Sequence, residues 1–180
     1  MKLHKTITLP GLLLCAAALP AQAQVHARPD RIGDALQYLV PAGAAGLALY
    51  ERDTEGLKEL AYSLALSQGS TEVLKRVFDS KRPDGTGRGF PSGHTSAVFA
   101  SAAFVHERYG VQTALPYYAL ATLTAYSRVH TRHHFTKDVV GGAAVGVGSS
   151  FLLTHPFGPR TSASVSYASD GVWARLASAW

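Results

Sequence analysis

Hydrophobic and polar positions divide the chain into long apolar runs separated by short charged or glycine-containing stretches. After an apolar N-terminal run, a second run over 35–50 contains no charged residue. Leu57, Leu60 and Leu64 then recur at helical spacing, and the same spacing continues beyond Gly69. The pattern leaves open whether Gly69 breaks this helix or only bends it.

Three more helices are indicated further along the chain. A loop over 82–87, with a proline and two glycines, separates them from the earlier ones. Ser92 is suited to begin a helix and Gly110 to end it, because serine favours the N-cap and glycine the position after the last turn. Uncharged runs over 111–127 and 139–154 complete the set. The pattern predicts an all-α fold, a compact bundle of about five to six helices.

Only the end of the chain alternates with period two. Ala163, Val165 and Tyr167 are separated by serines, and Asp170-Gly171 is a turn signal before further alternation. A short C-terminal β-hairpin is predicted, with a frayed tail as the alternative.

The N-terminal run has the features of a secretory signal peptide. Basic residues precede an uncharged run over 6–19, and Ala21-Gln22-Ala23 offers small residues at the positions that a signal peptidase reads. The alternative is a membrane anchor, but a spanning helix needs about 20 residues and this run is shorter. The predicted organisation is a signal peptide over 1–23, a helical domain over 24–158 and a tail or hairpin over 159–180. Export would place the protein in the periplasm or at the periplasmic face of the envelope.

The helical runs are rich in alanine, glycine and serine, which suits close packing either in a soluble bundle or between membrane helices. A mean hydropathy of +0.05 favours a soluble or partly embedded protein, so membrane association is a possible partner interaction. The whole chain carries 17 Lys and Arg against 12 Asp and Glu. This charge is too mild to indicate nucleic-acid binding, and no comb of basic and aromatic residues supports it.

The positions of the basic residues are more informative than their number. Five cations fall within 75–88 and three within 128–137, which indicates a localised anion site. Lys75 and Arg82, seven residues apart, would share one side of a continuing helix, with Arg82 at its end. A solvated charged face is the alternative explanation.

The stretch "HTRHHFTKD" contains His130, His134 and Asp138 at intervals of four, which on a helix would share a face and could hold zinc. Arg128, Arg132 and Lys137 are interleaved with these candidates. Fixed cations are unfavourable beside a metal dication and favourable beside a phosphate. The sequence therefore favours an anion site, and no metal or other cofactor is expected.

Pro91-Ser92-Gly93-His94 is a third candidate segment. A Ser-Gly pair that opens a helix presents backbone N–H groups to an anion, and His94 lies in the first turn. The alternative is an ordinary serine N-cap with an incidental histidine.

Together these segments resemble the type-2 phosphatidic acid phosphatase superfamily, which includes bacterial acid phosphatases and vanadium-dependent haloperoxidases. Its pattern is a lysine, six residues and Arg-Pro; then Pro-Ser-Gly-His; then Ser-Arg, five residues, His, three residues and Asp. Every position is filled here, in order, by Lys75, Arg82-Pro83, Pro91-Ser92-Gly93-His94, Ser127-Arg128, His134 and Asp138.

The resemblance implies a role for each residue. His134 is the implied nucleophile, Asp138 orients it, and His94 is the general acid and base. The implied phosphate-binding residues are Lys75, Arg82, Ser92, Gly93 and Arg128.

The implied function is a metal-independent phosphatase of the bacterial envelope that hydrolyses phosphomonoesters or diphosphates, with lipid phosphates favoured. The alternatives are a soluble periplasmic acid phosphatase, a vanadate-dependent haloperoxidase, which would be a longer chain, and a non-catalytic envelope protein. The expected partner is a phosphorylated small molecule or lipid. The oligomeric state is not indicated.

Overall fold

The computed structural model describes residues 29–158, 160–168 and 171–179. Its helices are α1 (Pro29–Tyr50), α2 (Thr54–Phe78), α3 (Gly93–Tyr109), α4 (Val111–His130) and α5 (Thr136–Leu153). The all-α prediction is confirmed. The predicted signal peptide lies outside the described residues.

The ends of the helices follow the sequence signals closely. α2 runs without interruption through Gly69, so this glycine does not break the helix. Ser92 is the N-cap of α3, and its side chain accepts a hydrogen bond from the backbone N–H of Thr95. Gly110 ends α3 with φ 92°, a left-handed value that glycine adopts without steric cost.

α3 is the central helix and contacts each of the other four. Phe104 and Val105 pack with Leu60 on one side, and Val98 packs with Val40 on another. Elsewhere its buried positions are mostly small residues: Thr95, Ser96, Ala100, Ser101, Ala102 and Ala103. Small side chains let the surrounding helices approach closely, so α3 is enclosed on all sides.

Two glycines bring α5 against the start of α3. A Cβ at Gly142 would lie 2.5 Å from the carbonyl oxygen of Ser92, and one at Gly146 would collide with the carbonyl oxygen of Ser96. The backbone N–H of Ser92 also donates to the carbonyl oxygen of Asp138 at 2.8 Å. The first turns of α3 and α5 are therefore held together.

At the other end of α3, Arg108 organises a buried group of charges. Its guanidinium donates twice to Asp53 at 2.6 Å, to Glu59 at 3.1 Å and to the carbonyl oxygen of His155 at 2.8 Å. Tyr109 also donates to Asp53 at 2.8 Å. These five residues, the Arg108 cluster, connect the α1–α2 turn, α2, α3 and the segment that follows α5.

Among the described residues, α1 is the one helix long and apolar enough to cross a membrane. The candidate segment is Arg31–Tyr50, with a mean hydropathy of 1.2 over its window and 22% of that window buried. Tyr38, Leu39 and Leu49 are among its exposed apolar side chains.

Two strands follow the bundle. β1 (Arg160–Ala168) pairs antiparallel with β2 (Gly171–Ala179), in a register that joins Ala168 to Gly171. The predicted turn at Asp170-Gly171 falls partly outside the described residues, since Asp170 is not among them, and Gly171 is already the first residue of β2.

Candidate active site

The three segments singled out in the sequence meet at one end of the bundle. This end contains the C-terminus of α2, the N-terminus of α3, the C-terminus of α4 and the N-terminus of α5. The connections over 79–92 and 131–135 both lie at this end, so residues distant in sequence become adjacent.

His134 lies in the connection between α4 and α5 and is 2% exposed. The backbone N–H groups of His133 and His134 both donate to the carbonyl oxygen of Arg128, at 3.0 and 3.1 Å. These bonds satisfy a carbonyl at the end of α4 and fix the backbone of His134. The histidine is thus positioned by the way α4 ends.

Asp138 is fully buried in the first turn of α5. Its Oδ2 accepts a hydrogen bond from the backbone N–H of Phe135 at 2.9 Å and lies 3.4 Å from Nδ1 of His134. The latter pair is within ion-pair distance, but its geometry is not that of a formed hydrogen bond. Because Nδ1 faces the carboxylate, Nε2 is the nitrogen of His134 that is left for chemistry.

Burial and two arginines determine the charge state of His134. Burial is the main cause that lowers its pKa below the usual value, Arg82 and Arg128 add to this, and Asp138 opposes it. The ring is therefore neutral at pH 7, with a lone pair available on one nitrogen.

The second histidine, His94, has a similar environment. Burial, then Arg128 and Arg82, lower its pKa to about 4, while Asp34 raises it. The same two arginines act on both histidines, so all four side chains belong to one site. We call these four residues, together with Asp138, the His134 cluster.

Arg82 reaches this site differently from the sequence-based expectation. α2 ends at Phe78, and Asp79 has a left-handed backbone (φ 34°, ψ 38°), so Lys75 and Arg82 do not share a continuing helix. Arg82 lies instead in the loop that follows, where its Nε donates to the carbonyl oxygen of Arg88 at 3.3 Å. That expectation was wrong because the left-handed residue Asp79 turns the chain three positions before Arg82.

Lys75 lies beside the start of α3. A Cβ added at Gly93 would lie 3.6 Å from Nζ of Lys75, which also donates to Glu72 at 2.8 Å. The ammonium group is therefore next to the backbone N–H groups at the helix N-terminus.

Ser92 is used differently from the other predicted phosphate-binding residues. Its N–H donates to the backbone carbonyl oxygen of Asp138, and its fully buried hydroxyl accepts from the N–H and hydroxyl of Thr95. The N–H groups of Gly93 and His94 have no partner among the described residues. Anion binding at this helix N-terminus would therefore use those two groups rather than the N–H of Ser92.

Asp34 of α1 is a residue that the sequence motifs did not identify. Its Oδ1 accepts a hydrogen bond from Nη1 of Arg128 at 2.6 Å and lies 3.1 Å from Nε2 of His94. No spacing in a single sequence links position 34 to positions 94 and 128, so no signal was available.

The neighbouring histidines lie outside the His134 cluster. His130, at the end of α4, stacks on Tyr126 with ring centroids 5.4 Å apart, and Nδ1 of His133 lies 2.8 Å from the hydroxyl of Thr131. α4 ends at His130, so His130, His134 and Asp138 do not share a helical face. Across the described part of the chain, no three histidine, cysteine or carboxylate side chains form a metal-binding group.

The family model of the PAP2 superfamily matches residues 56–162, which is more than half of the chain. The chain belongs to the PAP2 superfamily. It is accordingly a phosphoric monoester hydrolase of the PAP2 type, and the family resemblance read from the three motifs is confirmed.

Curated relatives and a solved structure agree with this assignment. A lipid A 4'-phosphatase of Helicobacter pylori is 36% identical over 143 residues, covering 73% of this chain and 72% of the relative. A lipid A 1-phosphatase of Porphyromonas gingivalis is 32% identical over 129 residues, covering 68% of this chain and 29% of the relative. The crystal structure of Aquifex aeolicus LpxE superposes with a TM-score of 0.55 at 23% identity, covering 68% of this chain and 83% of that one, so it supports the fold alone.

Proposed function

We propose that this PAP2 enzyme is a lipid-phosphate phosphatase of the bacterial envelope that works through a phosphohistidine intermediate. The observation that carries the proposal is the buried, neutral His134 beside Asp138, in the field of Arg82 and Arg128. A neutral imidazole among fixed cations suits nucleophilic attack on a phosphate group.

In the first step, Nε2 of His134 attacks phosphorus and forms a P–N bond while the P–O bond to the alcohol breaks. His94 donates a proton to the leaving oxygen, and the negative charge of Asp138 stabilises the cationic ring of His134. Lys75, Arg82, Arg128 and the N–H groups of Gly93 and His94 bind the phosphoryl oxygens. These groups balance the negative charge that spreads over the phosphoryl oxygens as the P–O bond breaks.

In the second step, a water attacks the phosphohistidine and gives a proton to His94. The P–N bond breaks, orthophosphate leaves, and both histidines return to their starting states. Apart from the substrate and the water, every group in this cycle belongs to the chain, and the cycle balances without a metal or cofactor.

A lipid substrate is favoured over a soluble ester by two observations. The named relatives are lipid A phosphatases, so lipid A is the first candidate. A cleft of about 370 Å³ opens beside His134, with Pro83, Val129 and Phe135 as apolar walls and Arg132 as its cation. Such walls suit the apolar part of a lipid next to its phosphate.

We further propose that residues 1–23 are a signal peptide and that the mature protein associates with the membrane at the periplasmic face. The apolar and mostly exposed surface of α1 supports membrane association.

The test uses purified protein with a chromogenic phosphomonoester and with lipid A, in the presence and absence of a chelator. His134→Ala should lower kcat by about 10³-fold or more, because the nucleophile is lost. His130→Ala, the matched control four residues away, should retain activity because that ring stacks on Tyr126 outside the site. Vanadate should inhibit, and a chelator should have no effect.

Each part of the proposal fails on a different result. Loss of activity with the chelator, or full activity in His134→Ala, would overturn the phosphohistidine mechanism. A high rate on soluble esters with none on lipid A or other lipid phosphates would overturn the substrate assignment and favour a soluble acid phosphatase.

A further inference from the structure

We propose that Asp34 is a positioning residue that orients His94 for proton transfer to the leaving group, an inference that rests on the proposed phosphatase function. Asp34 lies outside all three motifs, on a different helix from the rest of the site. Its carboxylate nevertheless contacts two residues of the His134 cluster at once.

The first argument is the shared oxygen. Oδ1 of Asp34 lies 2.6 Å from Nη1 of Arg128 and 3.1 Å from Nε2 of His94. The side chain of Arg128 is only 5% exposed and therefore provides a fixed anchor, whereas that of Asp34 is 55% exposed. A charge-assisted bond of this length holds the carboxylate in one place, and the same oxygen then fixes the imidazole.

The second argument is the packing of α1 at this point. A Cβ added to Gly33 would lie 2.5 Å from Oγ of Ser127 and 3.1 Å from Cδ of Arg128. The backbone of α1 therefore contacts the end of α4 directly, one residue before Asp34. A glycine at this position allows the close approach that brings the carboxylate to Arg128.

The third argument is the chemistry of the imidazole. When Nε2–H donates to Asp34, Nδ1 is the nitrogen that exchanges a proton with the substrate, and Nδ1 makes no hydrogen bond within residues 29–158. In the first step His94 acts in its imidazolium form, and the proton on Nδ1 goes to the leaving oxygen; in the second step the neutral ring takes a proton on Nδ1 from the attacking water. An acid residue that fixes one ring nitrogen thus leaves the other free to act.

The negative charge of Asp34 favours the role of His94 as a general acid. Besides Asp34, the charged groups that most affect His94 are Arg128 from α4 and Arg82 from the loop after α2, and Lys75 of α2 lies beside the adjacent Gly93. All of these are cations, and burial also disfavours the protonated ring. Asp34 opposes them and raises the pKa of His94, which favours the form that donates a proton.

The experiment compares Asp34→Asn with wild type on two substrates that share a benzene ring. In p-nitrophenyl phosphate the leaving group is stable without a proton, whereas in benzyl phosphate a strongly basic alkoxide must be protonated. We expect kcat/KM, which reports only the steps up to formation of the phosphohistidine, to fall roughly 10- to 100-fold on benzyl phosphate and less than about threefold on p-nitrophenyl phosphate. On benzyl phosphate the basic limb of the pH profile should move to lower pH.

Two controls accompany the variant. Glu55→Gln removes an exposed carboxylate in the first turn of α2, at the end of that helix away from the site, and should leave both rates unchanged. Asparagine keeps the shape of Asp34 and can still accept from Arg128, and a thermal unfolding curve equal to that of wild type checks the fold.

The outcomes separate this inference from the proposed function. An equal loss on both substrates, no loss, or a gain would overturn the role of Asp34; a gain would mean that its carboxylate competes with phosphate for Arg128. In these cases wild-type activity that depends on His134 would leave the phosphatase function standing. If wild type hydrolysed no phosphomonoester, both the function and the role of Asp34 would be overturned.

Discussion

Two buried groups of charges lie at opposite ends of the same helices. The Arg108 cluster is at the C-terminal end of α3 and the His134 cluster at its N-terminal end. From His94 to Arg108 the helix rises about 21 Å, at about 1.5 Å per residue. Both clusters contain a nearly buried arginine that bonds to an aspartate.

The two clusters differ in how completely their polar atoms are paired. In the Arg108 cluster, all three guanidinium nitrogens donate, and both carboxylates accept several bonds. In the His134 cluster, Nε of Arg128, Nδ1 of His134 and Oδ1 of Asp138 are buried without a hydrogen-bond partner among the described residues. A saturated cluster stabilises a fold, whereas unpaired buried groups raise its energy and indicate a site that a ligand completes.

The largest expected effect is on stability, from Arg108→Met. This change leaves Asp53 and Glu59 buried without their cation, which should lower the free energy of unfolding by about 3–5 kcal/mol. Urea unfolding at pH 7 measures it. Phosphatase kcat per folded molecule, measured well below the unfolding temperature, should stay near wild type.

Lys58→Met is the control for this variant, because it removes an exposed cation that has one surface partner. Its unfolding free energy should stay close to that of wild type, since exposed ion pairs contribute little to stability. A loss of kcat in fully folded Arg108→Met would break the division between a structural and a catalytic cluster.

Asp138→Asn should lower kcat and leave stability nearly unchanged, which is the opposite of the effect expected for Arg108→Met. An asparagine oxygen can still accept from the N–H of Phe135, so the first turn of α5 is retained. In the proposed mechanism this variant loses the negative charge that stabilises the cationic ring of His134, and kcat should fall roughly 10²- to 10³-fold, about 2.7–4 kcal/mol in the barrier. Steady-state kinetics and urea unfolding of the same sample separate the two quantities.

The free energy of unfolding of Asp138→Asn should stay within about 1 kcal/mol of wild type. A large loss of stability without a change in kcat would show that Asp138 belongs with the structural cluster.

The smallest expected effect concerns pH. The pKa of His94 is lowered to about 4 in the folded protein, from an unfolded value of about 6.5, so protonation favours the unfolded chain. Stability is therefore fully present above pH 6.5 and falls as the pH drops towards 4. His94→Gln should remove roughly 1–2 kcal/mol of the stability that wild type loses between pH 7 and pH 5.

Asp53 of the Arg108 cluster should not contribute to this loss. Burial raises the pKa of Asp53, but bonds from Arg108, Gly56 and Tyr109 outweigh it, so the net pKa is lowered. The stabilisation from a carboxylate of this kind is lost only below its unfolded value of about 3.9. Urea midpoints at pH 7 and pH 5 for His94→Gln and the exposed control His130→Gln test this, and equal pH dependence in both would contradict it.

Much of the fold could be predicted because local signals and helix ends coincide. Ser92 and Gly110 bound α3 as expected, since capping preferences act within a few residues. Gly69 gave an ambiguous signal, because one glycine costs a helix only about 1 kcal/mol and the packing of α2 outweighs it.

The candidate site was predictable where a motif contains it and not elsewhere. His94, His134 and Arg128 come together as the motif spacing implied. The Arg108 cluster carries no sequence pattern, because its members are scattered from position 53 to position 155 and each pair forms only when the helices pack.

By itself, the sequence determined the helices, the family and the set of candidate catalytic residues, because periodicity and motif spacing are local properties of the chain. Only the tertiary structure decided that Arg82 reaches the site from a loop, that the N–H of Ser92 is already bonded, and that Asp34 contacts His94. Each of these depends on distances between residues far apart in sequence, which are set by how closely α1, α4 and α5 pack around α3.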